Sequence, residues 1–227
     1  QKVTLDPANQ QEVDDTITVM GGDDWARWVA FLREHDLLAD NFRTVAYSYI
    51  GPEMTFPIYT NGTIGQAKKD LQKTADSLNN ELSELNGSAY ISVNKALVTQ
   101  SSSAIPVVPL YMSILFKVMQ ENDTNERCIE QMSRLFSQRL YADTVGPLDD
   151  ERRLRLDDWE MDPDVQAKVA SIWEQINQDN IAELADLKLY QDDFHRLFGF
   201  GFDSVDYGQE VDADVPISSI AAEETTA

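Results

Sequence analysis

The stretch Thr44-Val45-Ala46-Tyr47-Ser48-Tyr49-Ile50-Gly51 decides the fold. β-Branched and aromatic side chains crowd it and Gly51-Pro52 ends it, so it reads as a strand. Downstream, Ala67, Leu71, Thr74, Leu78, Leu82 and Leu85 recur at helical spacing and predict one buried helix face. Thr63 with Gln66 offers a capping box to open that helix, which is expected to run to about Leu85. After the turn at Asn86-Gly87, Ala89-Tyr90-Ile91-Ser92-Val93-Asn94 reads as a second strand. Strand, helix and strand in this order make a parallel α/β unit. A parallel sheet of two strands is a poor core. The expectation is therefore that other strands complete the sheet and that this chain is the carboxyl-terminal portion of a larger α/β protein. No glycine-rich turn between a strand and a helix stands near the start, so the usual pyrophosphate-binding element is not legible here.

Outward from that unit the reading is mostly helical. On the amino-terminal side, Val3-Thr4-Leu5 and Thr16-Ile17-Thr18-Val19 are expected as short extended pieces. Asp23 and Asp24 then cap a helix whose Trp25, Trp28, Val29 and Leu32 form one buried stripe. On the other side, Thr99 to Ser103 reads as a polar hinge, Pro106 to Met119 as a buried helix, and Thr124 to Leu140 as another, with Cys128 in its core. Pro106 to Tyr111 could line an apolar pocket, with the hinge letting it act as a lid. Asp162 to Glu183, with Pro163 in its first turn, and Leu189 to Phe198 complete the helices. Residues 1–210 are expected to form one folded part and 211–227 an acidic, flexible tail.

Composition narrows the function. Forty acidic residues against 18 basic ones give a formal charge of -22 over 227 residues. Such a surface repels nucleic acid and anionic membranes. The longest apolar run, Ala104 to Met119, is broken by Pro106 and Pro109 and carries Lys117. It falls short of the roughly 18 to 20 residues a membrane helix needs. No basic-then-apolar leader is readable, and a single cysteine fits a reducing compartment. His35 and His195 have no fixed acidic pairing, so no metal site is expected, and Asp157-Asp158-Trp159-Glu160 reads as a structural turn. Anionic ligands would need the scarce Lys and Arg placed locally.

Tyr59 and Lys68 are the candidate catalytic pair. Tyr59 precedes the helix that Thr63 opens and Lys68 sits in its second turn, so the phenol can fold back toward the amine. A nearby ammonium favours phenolate and makes the hydroxyl a readier proton donor. Spacing alone is weak, because any Tyr and Lys can fall at this separation, and a surface lysine beside a half-buried tyrosine is the default.

The surrounding text is more specific. Tyr47-Ser48-Tyr49-Ile50-Gly51-Pro52-Glu53, Pro57-Ile58-Tyr59 and Gly62-Thr63-Ile64-Gly65 come first. Ser92-Val93-Asn94-Lys95-Ala96-Leu97-Val98-Thr99-Gln100, the run Ala104 to Tyr111, Leu156 to Met161 and Leu197-Phe198-Gly199-Phe200-Gly201 follow in order. Together they resemble the trans-2-enoyl-CoA reductase and enoyl-acyl-carrier-protein reductase family with its Tyr-x8-Lys motif, over nearly the whole chain. The resemblance implies a Rossmann-like short-chain dehydrogenase/reductase-type α/β fold, here the carboxyl-terminal portion with additional helices. It implies a monomeric cytoplasmic enzyme of fatty acid synthesis whose amino-terminal half binds the rest of NADH. Its reaction is NADH-dependent reduction of the 2,3 double bond of an enoyl-CoA or enoyl-acyl-carrier-protein thioester. By the same resemblance, Tyr59 is the catalytic acid, Lys68 contacts the cofactor, Tyr49 touches the substrate thioester, and Leu97-Val98-Thr99 bind the nicotinamide end. The alternatives are a non-catalytic part that needs a complementing amino-terminal half, and a carbonyl reductase using the same Tyr and Lys.

Overall fold

In a computed structural model, the described residues are 4, 6–141, 145–212 and 214–215. The chain opens with α1 (Gln10–Met20) and α2 (Asp23–Glu34), then β1 (Arg43–Ser48), α3 (Thr63–Glu81) and β2 (Ser88–Val93). Next come a short α4 (Gln100–Ser103), α5 (Val108–Glu121) and α6 (Cys128–Arg134), which passes into a π-helical turn, Leu135–Leu140. The order ends with β3 (Leu154–Arg155), α7 (Pro163–Gln175), α8 (Ile181–Leu184) and α9 (Leu187–Arg196).

The expected strand–helix–strand unit is present. β1 pairs parallel with β2 from Arg43↔Ser88 to Ser48↔Val93. A third strand is not legible in the sequence: β3 pairs parallel with the far side of β2, Ser92↔Leu154 and Val93↔Arg155. Two residues are too short for a periodic signal. Central β2 is buried along nearly its whole length. α3 covers the sheet with Leu71, Ala75 and Leu78 against Ala89, Ile91 and Val93, and Val29 of α2 joins the same packing. The main core surrounds α5, whose Ile114, Leu115, Val118 and Met119 are fully buried and join Val165 and Val169 of α7.

Several local expectations are corrected. Thr16 to Val19 is helical, because Asn9 accepts from the Glu12 amide at 3.1 Å while the Glu12 carboxylate accepts from the Asn9 amide at 2.8 Å. This reciprocal cap outweighs β-branched propensity. Val3 and Leu5, and most of the expected tail, lie outside the described residues. Asp23 and Asp24 stand inside the first turn of α2 and do not cap it; Gly22 does. Only Val29 of the expected stripe is buried, and Trp28 is largely exposed. Gly22 is required by closeness: a Cβ there would lie 2.0 Å from Thr74 Oγ1.

Thr63 is the first helical residue after Gly62, and no side-chain capping bond forms. Thr99 to Ser103 is a capped helical turn and not a loose hinge, since Thr99 Oγ1 accepts from the Ser102 amide at 3.0 Å and Ser102 Oγ from the Thr99 amide at 2.9 Å. The helix expected from Thr124 begins at Cys128, and Cys128 is exposed. The helix expected to reach Glu183 stops at Gln175, where Asn177 and Asn180 build a turn by bonding each other and the Gln175 carbonyl.

Candidate active site

The carboxyl ends of parallel strands are where ligands gather in open α/β sheets. Here β1 ends at Ser48 and delivers Tyr49, while β2 ends at Val93 and delivers Asn94 to Thr99. Between Gly51 and α3 the chain makes a 3-10 turn, Glu53–Thr55. The Tyr59 amide then bonds the Thr55 carbonyl at 3.0 Å. That fold-back seats Tyr59 against Tyr49, with ring centroids 5.1 Å apart at an interplanar angle of 74°. This edge-to-face pairing is favoured by the ring quadrupoles. From the second turn of α3, Lys68 Nζ lies 5.7 Å from each ring centroid.

Tyr49, Tyr59 and Lys68 are thus brought together, and they line one cleft of about 290 Å³ with Gly65, Lys69 and Arg153. In a chain of net charge -22 the cleft gathers Lys68, Lys69 and Arg153, although Glu151 lines it too and Arg153 is paired with Asp149 and Glu151, each at 2.9 Å. Leu97, Val98 and Thr99 do not line that cleft. They form the loop behind it, where buried Val98 packs in the same core as Tyr59 and Thr99 caps α4.

The electrostatics revise one expectation. Burial, followed by the charge of Glu160, pushes the Tyr59 phenol up, so it is held protonated and not biased toward phenolate. Burial lowers the Lys68 amine to about 8. Tyr49 is pushed well up by burial and by Glu160.

Glu160 is the residue that sequence reasoning passes over. It lies in the expected structural turn, yet its carboxylate is completely buried and accepts the Tyr49 hydroxyl at 2.9 Å. The rest of that turn is structural. Asp157 pairs with Arg155 and Asp158 with Arg134 and Arg139, while the Arg134 guanidinium lies 4.2 Å from the Trp159 ring centroid. Asp157 is buried too, and nothing in the spacing of Asp157 to Glu160 marks which carboxylate meets the site, because the choice is made by contacts from distant Tyr49 and Ala96.

Gly51 shapes the site. Its φ is +73°, and a Cβ there would lie 2.7 Å from the Tyr49 hydroxyl oxygen and 2.6 Å from Thr55 Oγ1. Gly51→Ala is expected to destabilise the fold by about 1–3 kcal/mol and to displace the Tyr49 hydroxyl. Urea unfolding measures the first effect, and an unchanged midpoint would contradict it.

Among known protein families, residues 1–141 match the one described as the trans-2-enoyl-CoA reductase catalytic region. Residues 148–211 match one described as the enoyl reductase FAD binding domain. An NADH enoyl-[acyl-carrier-protein] reductase of Flavobacterium psychrophilum is 51% identical over 219 residues, 96% of this chain and 55% of its own. One from Coxiella burnetii is 53% identical over 96% of this chain and 54% of its own. The crystal structure of Treponema denticola trans-2-enoyl-CoA reductase in complex with NAD superposes with a TM-score of 0.88 at 46% identity. It covers 93% of this chain and 53% of that one. The chain spans about half the length of the curated relatives it matches.

Proposed function

We propose, from the premise that this chain belongs to the trans-2-enoyl-CoA reductase family, that it carries the proton-donating half of an NADH-dependent enoyl-thioester reductase. The observation that carries the reading is the packing of Tyr49, Tyr59 and Lys68 around one cleft at the carboxyl end of β1. When bound, the dinucleotide supplies the hydride that reaches the β-carbon of a 2,3-unsaturated acyl thioester. Tyr59, kept protonated by burial, hydrogen-bonds the thioester oxygen, where negative charge collects as the β-carbon is reduced. Proton uptake at the α-carbon then gives the saturated acyl thioester. Lys68 holds the dinucleotide beside the two phenols, and Leu97, Val98 and Thr99 are assigned to its nicotinamide end. Tyr49 contacts the substrate.

Enoyl-CoA or enoyl-acyl-carrier protein as substrate, a role in fatty acid synthesis, a monomeric state and a cytoplasmic location belong to the same proposal. Among the described residues no helix is long and apolar enough to cross a membrane, and no cluster of three metal-binding side chains occurs.

The residues present do not fit a flavin. Stretch 148–211 has no glycine-rich turn running from a strand into a helix among its described residues. Its Gly199 and Gly201 lie in an exposed loop after α9, where a Cβ added at either would meet nothing within 4 Å. No step is assigned to FAD.

The test is NADH oxidation by the full-length polypeptide with crotonyl thioester and, separately, with simple ketones. Turnover of the thioester alone is expected. Turnover of ketones alone would replace this reading with a carbonyl reductase, and turnover of neither would leave a non-catalytic role.

The Lys68 amine sets a pH dependence. Its charge is lost as pH rises through about 8, so kcat/KM for NADH is expected to fall there, and Lys68→Arg to move that limb upward. The stability sign is opposite. The folded state holds this proton less tightly than the unfolded chain, whose value is near 10.5. The ammonium therefore opposes folding fully below about pH 8, and that penalty fades as pH climbs toward 10.5. A flat kcat/KM profile from pH 7 to 9, about one unit either side, would contradict the assignment.

A further inference from the structure

Glu160 ties Tyr49, which lines the cleft, to Tyr111 and Ala96, which do not. Its Oε1 accepts the Tyr49 hydroxyl at 2.9 Å and the Tyr111 hydroxyl at 2.7 Å, and its Oε2 accepts the Ala96 amide at 2.6 Å. Gln166 Nε2 bonds the Glu160 carbonyl at 2.7 Å and donates to the Tyr111 oxygen at 3.3 Å. Tyr111 accepts from Gln166, so its own hydrogen turns to Glu160. Three donors thus converge on a side chain that, when ionised, only accepts. Burial raises the Glu160 carboxyl, and the three donors together with the charge of buried Lys95 oppose that rise.

We propose that Glu160 is a positioning residue, whose single carboxylate fixes both the direction of the Tyr49 hydroxyl and the place of the chain at Ala96. Ala96 immediately precedes Leu97-Val98-Thr99, so one anchor sets the substrate-facing phenol and the cofactor-facing loop together. The Tyr49 hydrogen is committed to Glu160. Toward the cleft Tyr49 offers lone pairs to a donor on a bound ligand. Tyr59 is left as the phenol that donates to the thioester oxygen. Where this effect is felt in turnover rests on the function proposed above.

The experiment uses Glu160→Gln in the full-length polypeptide, alone and with Tyr49→Phe. A glutamine cannot accept from both the tyrosines and Ala96, so either the Tyr49 hydroxyl reorients or the Ala96 amide loses its acceptor. The variant is expected to lower kcat/KM for crotonyl thioester roughly tenfold or more in the wild-type background and far less in the Tyr49→Phe background. Equal losses in both backgrounds, or no loss, would overturn the proposal. An activity-independent readout accompanies it, the 13Cζ resonance of Tyr49 in tyrosine-labelled protein, assigned by its loss in Tyr49→Phe. Glu160→Gln should move it, and Tyr111→Phe, which leaves Oε1 to Tyr49 alone, should move it the opposite way. A fixed resonance in both variants overturns the proposal. If wild type turns over no thioester while the resonance moves as stated, the functional reading fails and the positioning role stands. If Glu160→Gln does not fold, the Tyr49 resonance in Tyr111→Phe decides alone, and a fixed resonance overturns the proposal.

Discussion

Tyr59→Phe in the full-length polypeptide is expected to reduce enoyl thioester about 10²–10⁴-fold more slowly than wild type, the range spanned by positioned proton donors. The fold should be unchanged. The Tyr59 ring is buried in the core around α5 and edge-on to Tyr49, and those contacts belong to the carbon atoms. Among the described residues its hydroxyl makes no hydrogen bond, so phenylalanine leaves no partner stranded. Loss of an interaction made mainly in the transition state should fall on kcat more than on KM for NADH. Stopped-flow turnover and urea unfolding on the same preparations separate the two effects. Turnover within threefold of wild type, roughly 0.7 kcal/mol of barrier, would remove Tyr59 from the chemistry.

Arg134→Ala should be the most damaging change to stability, by about 3–5 kcal/mol in urea unfolding. The Arg134 side chain is 6% exposed, as is its partner Glu126. Its Nε and Nη2 bond the Glu126 carboxylate, Nη1 bonds Asp158 at 2.8 Å, and Nη2 also bonds the Leu156 carbonyl at 2.6 Å. Truncation leaves a buried carboxylate without its cation. Arg134→Lys keeps the charge but cannot spread donors over three acceptors, so it should recover only part of the loss. A loss under 1 kcal/mol for the alanine variant, about the value of an exposed pair, would show that Glu126 finds other partners.

These two residues mark what the sequence can show. Tyr59 stands in a long, ordered motif, and strand β1, helix α3 and strand β2 announce themselves by period and by their glycine stops. Each carries its own periodic signal, so the pattern shows it even though β1 and β2 pair across 45 residues of chain. Glu160 and Arg134 owe their roles to distant partners, Tyr49 at one and Leu156 and Asp158 at the other. A one-dimensional pattern holds no trace of which carboxylate of Asp157, Asp158 and Glu160 reaches Tyr49. β3 is invisible for a related reason: with two residues it has no period, and it exists because β2 offers it an edge. α1 reads falsely as extended because β-branched Thr16, Ile17, Thr18 and Val19 outvote a cap placed well upstream at Asn9.

The parallel pairing of β1 with β2 makes the site intolerant of frame. Ser48 lies level with Val93, and the Asn94 amide donates to the Ser48 carbonyl at 2.8 Å. Successive strand residues point to opposite faces, so sliding β1 by a single residue would present Ile50 where Tyr49 now stands. Tyr59 and Lys68, carried on α3 and the turn before it, would stay behind. An insertion in the turn at Asn86-Gly87 can be absorbed by the loop, whereas loss of one residue between Thr44 and Tyr49 would swap a phenol for a hydrocarbon at the cleft without disturbing the length of any helix.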